Sequence, residues 1–349
     1  MPLLDLANEL LFCITENLES EGYINSLAQV NRHLYRLLNP YLYCLNIRQS
    51  GCSALLWAAL DGQTGTAQRL LEEADEQVTS DDPFYISLCL AAEKGHIEIV
   101  QLLINKGVNV KYQSPNICNG DVEYNSTFAL EAASEGGQEE VVQLLLNKGA
   151  NVNAQSTHWS INQEQFYYSN ALYAASEGGY ERIVKQLLDH GADLMQGGYY
   201  GNALQAAAAG GHEQTVKLLL DARGADVNAR GQYYWKWWCE FLDSNALCIA
   251  SEYGYEQIVK LLLDRGADVN LQGGPYGNAL VAASANGYGQ VVRLLLEKGA
   301  MVNALGREPT MDIDVYIEIS ALQAASREGH KQVVDMLLAR GAEGSMQHD

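Results

Sequence analysis

The chain of 349 residues carries 43 Asp+Glu against 22 Lys+Arg, a net charge of −21. Without a basic patch to release counterions, such a surface argues against nucleic acid and anionic membranes as partners and favours a basic one; plain solubility is the other reading of the charge. Hydrophobic residues make up 48% and prolines number only 6, so a large core can be buried and long proline-rich linkers are excluded. No run of about 18 apolar residues exists to span a membrane, and Asp5, Glu9 and Glu16 interrupt the amino-terminal apolar stretch, unlike a secretory signal. The seven cysteines form no CxxC pair, a pattern expected of free thiols in a reducing, cytoplasmic or nuclear location.

In chain order, Leu6, Leu10, Ile14 and Leu18 have helical spacing. After Gly22 a second amphipathic segment runs through Ile24, Leu27, Val30, Leu34 and Leu37, and Asn39-Pro40 stops it. The set Leu6, Glu9, Leu10, Leu11, Ile14 and Leu18, followed by Ile24, Leu27, Val30 and Arg32, resembles an F-box; Ala7 replaces that family's proline and Leu34 stands near its usual tryptophan. The resemblance implies docking of a Skp1-type adaptor of a cullin ubiquitin ligase through Leu6, Glu9, Leu10, Leu11, Ile14, Leu27 and Val30. The other reading of residues 1–50 is a helical cap over the apolar end of a solenoid.

Residues 51–349 repeat. The segment 86–100 registers without gaps on 170–184, and a glycine recurs at Gly62, Gly95, Gly137, Gly179, Gly211, Gly254, Gly287 and Gly329, with spacings of 33, 42, 42, 32, 43, 33 and 42. Each unit reads as a helix–turn–helix. Ser53, Asn170, Asn202, Asn245, Asn278 and Ser320 are candidate N-caps. Small pairs such as Ala132-Ala133 and Ala206-Ala207 let first helices approach, and leucine runs such as Leu144 to Leu146 close the second helices. Gly149, Gly191, Gly224, Gly266, Gly299 and Gly341 then end those helices in a left-handed turn. The following Ala-Asp-Val-Asn, as at Ala225 to Asn228 and Ala267 to Asn270, predicts an Asx-type turn with one buried valine.

The fold expected is a mainly α solenoid of eight such units. From Ser53 to Glu343 it resembles the ankyrin family, including the Gly-His at Gly95-His96, Gly211-His212 and Gly329-His330. It departs at that family's Thr-Pro-Leu-His, which reads Asn/Ser-Ala-Leu-x here, with the expected loss of one buried hydrogen-bond network per unit. The resemblance implies that partners bind in the groove between hairpin fingers and first helices. The combination with an F-box is similar to an architecture common in filamentous fungi.

The longer spacings place extra residues in fingers near 111–125, 154–169, 229–244 and 304–320. Aromatic residues crowd them: Trp159, Phe166, Tyr167 and Tyr168 in the second, and Tyr233, Tyr234, Trp235, Trp237, Trp238 and Phe241 in the third. Tyr199, Tyr200 and Tyr276 lie in short fingers. Such rings form either a partner-binding patch or small satellite cores. Two residues before the turn glycine stand Glu93, Glu135, Glu177 and Glu252. The ankyrin resemblance points them into the groove, as a negative stripe favouring a Lys/Arg-rich peptide; a solvated helix face is the other reading.

No GxSxG, HExxH, phosphate loop or dinucleotide fingerprint occurs, so no catalytic residue, cofactor or metal is expected. The finger acids Asp121, Glu123, Glu164, Glu240, Asp243, Asp312, Asp314 and Glu318 leave open a pocket that holds a small molecule. The leading function is a substrate receptor of a Skp1–cullin–F-box ligase. A scaffold without ligase linkage, or an enzyme or small-molecule-binding protein with a finger-lined pocket, are the alternatives.

Overall fold

The computed structural model describes residues 53–74, 82–112, 117–119, 122–124, 128–160, 165–198, 200–235, 240–309 and 316–343. The F-box-like segment, with Leu6, Glu9, Leu10, Leu11, Ile14, Leu27 and Val30, lies outside the described residues, as do Tyr199, Trp237 and Trp238.

The chain divides into two compact units, 1–151 and 152–349. In the first, α1 (Ser53–Asp61) pairs with α2 (Thr64–Glu73), α3 (Asp82–Lys94) with α4 (Ile97–Asn105), and α5 (Ala129–Glu135) with α6 (Glu139–Asn147); between α4 and α5 comes the hairpin β1 (Ile117–Asn119)–β2 (Val122–Tyr124). The second unit opens with the hairpin β3 (Ser156–Ser160)–β4 (Gln165–Ser169) and the pair α7 (Ala171–Glu177)–α8 (Glu181–Asp189). A short ribbon, β5 (Gly197–Gly198)–β6 (Gly201–Asn202), leads to α9 (Ala203–Ala209)–α10 (Glu213–Asp221). The hairpin β7 (Gly231–Trp235)–β8 (Glu240–Ser244) precedes α11 (Ala246–Tyr253)–α12 (Glu256–Asp264) and α13 (Ala279–Ala285)–α14 (Gly289–Glu297). The hairpin β9 (Leu305–Pro309)–β10 (Tyr316–Ser320) and the pair α15 (Ala321–Arg327)–α16 (Lys331–Ala339) complete the sixteen helices of the described residues.

Within each unit, first helices stack on first helices and second on second. Alanines make the first stack close: Ala59, Ala91 and Ala133 in one unit, and Ala175, Ala207, Ala250 and Ala283 in the other, are wholly buried. The second helices present a β-branched residue and a leucine three positions later, as in Val142/Leu145, Val184/Leu187 and Val259/Leu262, all buried on one stripe.

The first helices are capped as their sequence demands. The side-chain oxygens of Asn170, Asn202, Asn245, Asn278 and Ser320 accept from the backbone N–H three residues on, at 2.8 to 3.3 Å. Ser53 instead starts inside α1. The expected loss of a buried network does not hold throughout. Gln205 and Gln323 close capping boxes, and Gln205 Nε2 also donates to the Ser244 carbonyl of the next pair at 2.7 Å. An amide thus does the bridging for which the family uses its Thr-Pro-Leu-His. Where Phe128 offers no cap, the Tyr85 hydroxyl of the preceding pair accepts from Ala129 N; Tyr173 does the same for Tyr200 N.

Consecutive pairs are clasped at their helix–helix turns. Every turn glycine, from Gly62 to Gly329, has φ between 70° and 78°, and at six of them the residue after the next pair's glycine lies over it. His96 covers Gly62 and Gln138 covers Gly95; in the second unit His212, Tyr255, Tyr288 and His330 cover Gly179, Gly211, Gly254 and Gly287. A Cβ on Gly287 would fall 2.6 Å from the His330 ring. Nε2 of His96, His212 and His330 donates to the carbonyls of Leu60, Glu177 and Ala285 at 3.2, 2.8 and 3.0 Å.

The second link joins the turns that follow the second helices. Asp193, Asp226 and Asp268 accept from the backbone two residues on, giving the expected Asx turns. Asparagines then reach forward to the next turn. Asn153 donates to the Gly191 carbonyl and accepts from Asp193 N; Asn270 makes the same pair of bonds to Gly299 and Met301, and Asn303 to Gly341 and Glu343. Asn228 accepts from Asp268 N. Val227 and Val269, expected to be buried, are only half-buried, since the polar relay rather than apolar packing holds these turns.

Alanine at Gly266, where φ is +88° and no atom lies within 4 Å, should cost only the left-handed strain, about 1 kcal/mol. Gly287→Ala must in addition expel His330 and lose its hydrogen bond, for a total of about 3 kcal/mol. Urea unfolding of the two variants checks this; equal midpoints would mean that the clasp contributes nothing.

Candidate partner-binding site

The long fingers are antiparallel hairpins. Ser156 pairs with Ser169 and Ser160 with Gln165; Gly231 pairs with Ser244 and Trp235 with Glu240; Leu305 pairs with Ser320 and Pro309 with Tyr316. At their bases the strands alternate. Ser156, Ser169, Leu242, Ser244 and Ile319 point inward, whereas Tyr168, Asp243 and Glu318 point to solvent. Leu242 is 5% exposed and packs on Ile249 of α11, with Tyr200 and Ala209 against them. One finger base is therefore tied to the stack by a small apolar core.

The aromatic residues divide accordingly. Tyr200 belongs to that satellite core and is held through its N–H by Tyr173. Tyr276 is half-buried, and its carbonyl accepts from Arg307 N at 3.1 Å. Tyr168 stands out at 59% exposed. The strands place Trp159, Phe166 and Tyr167 in the β3–β4 hairpin and Tyr233, Tyr234, Trp235 and Phe241 in the β7–β8 hairpin; their side chains lie outside the described ones.

Beside Tyr168 lies a cleft of about 320 Å³. Its floor is glycine, Gly197, Gly198, Gly201 and Gly231, and its rim carries Tyr168, Met195, Gln155, Gln232 and Arg230. The floor is bare because packing beneath it leaves no room: a Cβ on Gly198 would meet the Tyr173 ring, and one on Gly231 would meet Gln205 and Gly201. Arg230 is anchored, its Nη2 donating to the Gln272 carbonyl at 3.2 Å. No carboxylate lines this cleft, and Asp243 and Glu318 of neighbouring fingers face solvent. Among the described residues no group of three His, Cys, Asp or Glu side chains is placed to hold a metal ion, and no helix is long and apolar enough to cross a membrane. Met195, 52% exposed, was not singled out by the sequence. The available signal was its place in the repeat, where other turns carry asparagine.

The four glutamates are not equivalent. Glu135 and Glu177 are exposed at the ends of α5 and α7. Glu93 is half-buried and paired with Lys94 at 2.6 Å. Glu252, also half-buried, lies beside Cys248, and desolvation pushes its carboxyl up to about 7. Burial likewise pushes the Cys89 and Cys248 thiols up to about 12, so neither is a thiolate at neutral pH.

A carboxyl whose folded pKa exceeds its unfolded value, near 4.5, binds more protons when folded, so stability falls as pH rises from about 4.5 through about 7. Glu252→Gln should therefore melt higher than the parent at pH 8. The gain should exceed that at pH 5 by on the order of 2 kcal/mol, read as melting temperature across pH. A gain independent of pH would refute the buried carboxylate.

The family described as ankyrin repeats (3 copies) matches residues 55–156, 157–231 and 247–348. The crystal structure of the human ASB11 ankyrin repeat domain superposes with a TM-score of 0.54 at 24% identity, covering 74% of this chain and 99% of that one. No curated protein matches the chain. Ankyrin repeats are protein–protein interaction modules. The glycine clasps, the capped alanine-rich first helices and the family match across most of its length place this chain in the ankyrin-repeat family.

Proposed function

We propose that the chain is an eight-unit ankyrin receptor that captures a basic segment of a protein partner with its aromatic fingers and the carboxylates at its first-helix ends. One observation carries the reading: the exposed Tyr168 ring and Met195 flank an open cleft on the finger edge. An exposed tyrosine on a rigid hairpin is the kind of side chain that dominates interfaces. Exposed Glu177 in the same unit, on a chain of net charge −21, supplies attraction for a cationic segment. Trp159, Phe166, Tyr167, Tyr233, Tyr234, Trp235, Trp237, Trp238 and Phe241 extend the same surface in this reading.

Resemblance of residues 1–50 to an F-box supports a second element, in which a Skp1-type adaptor docks there and links the captured partner to a ubiquitin ligase. Co-expression with such an adaptor should give co-elution that Leu10→Asp abolishes. Separate elution of a folded chain would make the segment a cap of the solenoid.

For capture itself, a fluorescein-labelled peptide of alternating arginine and serine should bind the full chain, with affinity falling as salt rises. Tyr168→Ala and Glu177→Lys should each weaken it about tenfold while leaving the helical circular dichroism unchanged. Binding of the arginine–serine peptide that neither Tyr168→Ala nor Glu177→Lys weakens in a folded protein would sink the reading.

A further inference from the structure

A second cleft lies away from the fingers, at the carboxy-terminal ends of α8 and α10. Most second helices in this unit end alike: one residue near the helical region, then a left-handed glycine. His190-Gly191, Arg265-Gly266 and Lys298-Gly299 obey this rule, with ψ of 7° to 9° at the first residue. After α10 the link is one residue longer, Ala222-Arg223-Gly224, which is why one glycine spacing is 43 rather than 42. Ala222 swings out to φ −70°, ψ 147°. The same junction lacks its asparagine link. Met195 stands where Asn153, Asn228, Asn270 and Asn303 reach forward in the other turns.

At this junction a cleft of about 470 Å³ opens, within the size range of ligand-binding cavities. Half-buried Leu188, Leu194 and Leu218 give it an apolar floor, and Ala222 and Arg223 of the longer link form part of its wall. Its charged rim runs against the net charge of the chain. Asp221 is occupied, 2.7 Å from Arg265 Nη1. That leaves the exposed cations Lys185 and Arg223 against the single carboxylate of Asp189, a local positive excess on a chain of net charge −21.

We propose that this cleft docks a short acidic–apolar segment of a second protein, a leucine- or phenylalanine-sized side chain on Leu188, Leu194 and Leu218 flanked by carboxylates that face Lys185 and Arg223. The charge proposed for this segment is opposite to that proposed for the finger-edge partner, which takes its attraction from Glu177 outside the finger cleft, so the two sites would select different partners.

The test is fluorescence anisotropy of the full chain with a labelled Asp-Glu-Leu-Phe-Asp-Glu peptide, and with a control in which lysine replaces each acid. The acidic peptide should bind with an affinity that Arg223→Glu lowers, whereas any binding of the basic peptide should respond to Tyr168→Ala and not to Arg223→Glu. Arg223→Glu and Lys185→Glu, both surface changes, should each weaken the acidic peptide about tenfold. Deletion of Ala222, which restores the common link length, should abolish binding, whereas Tyr168→Ala should leave it unchanged. Failure of the acidic peptide to bind, indifference to Arg223→Glu in a folded protein, or loss of binding in Tyr168→Ala would each overturn the proposal.

Discussion

Everything in this chain rests on a glycine that can hold a positive φ beneath a neighbour's side chain. At Gly254 and Gly287 the backbone turns between two helices in a conformation that other residues adopt only at a cost, and the vacant Cβ position is filled by the ring of Tyr288 or His330. The contact does two jobs. It sets the angle within a pair, because only that turn brings the second helix back on the first. It also sets the distance to the next pair, because His330 can reach the Ala285 carbonyl only when its ring lies flush on the glycine. Alanine-rich first helices fit this spacing, and the leucine stripes of the second helices fit the pairing.

Upon such a frame the finger side chains can vary, since they take no part in the clasp, and at the first-helix ends the clasp uses only backbone carbonyls. That is where the chain places what a binding surface needs. A hairpin anchored by a buried Ser169–Ser156 pair is held firmly enough to project Tyr168 without burying it. At one helix end the Glu177 carbonyl accepts from His212, while its side chain stands exposed. The distinction between Tyr168 and Tyr200 is a matter of which strand face each occupies and which apolar neighbours, Leu242 and Ile249, stand opposite.

The sequence made the repeat, the turn glycines, the Asn and Ser caps and the Asx turns legible, because each is a local rule with a fixed residue type. Burial was less legible. Four glutamates at equivalent positions read as one stripe, yet Lys94 pairs with Glu93 and the fold desolvates the Glu252 carboxyl, so their charges differ. Neighbours from other elements decide that, and periodicity does not report them. Tyr200 and Tyr168 looked alike for the same reason. The two departures at Met195 and Ala222 were present in the spacing, but their meaning depends on hydrogen bonds that only the assembled turns reveal.

Those departures meet at one joint. Neighbours in this stack are linked by a clasp at one edge and an asparagine relay at the other. Between α8 and α10 the clasp of His212 on Gly179 remains while the relay is missing. At this joint the clasp is kept and the asparagine relay gives way to the bond from Tyr200 N to the Tyr173 hydroxyl on the finger side. The finger cleft, through Met195, and the cleft at Ala222, through Ala192 and Leu194, both border that joint.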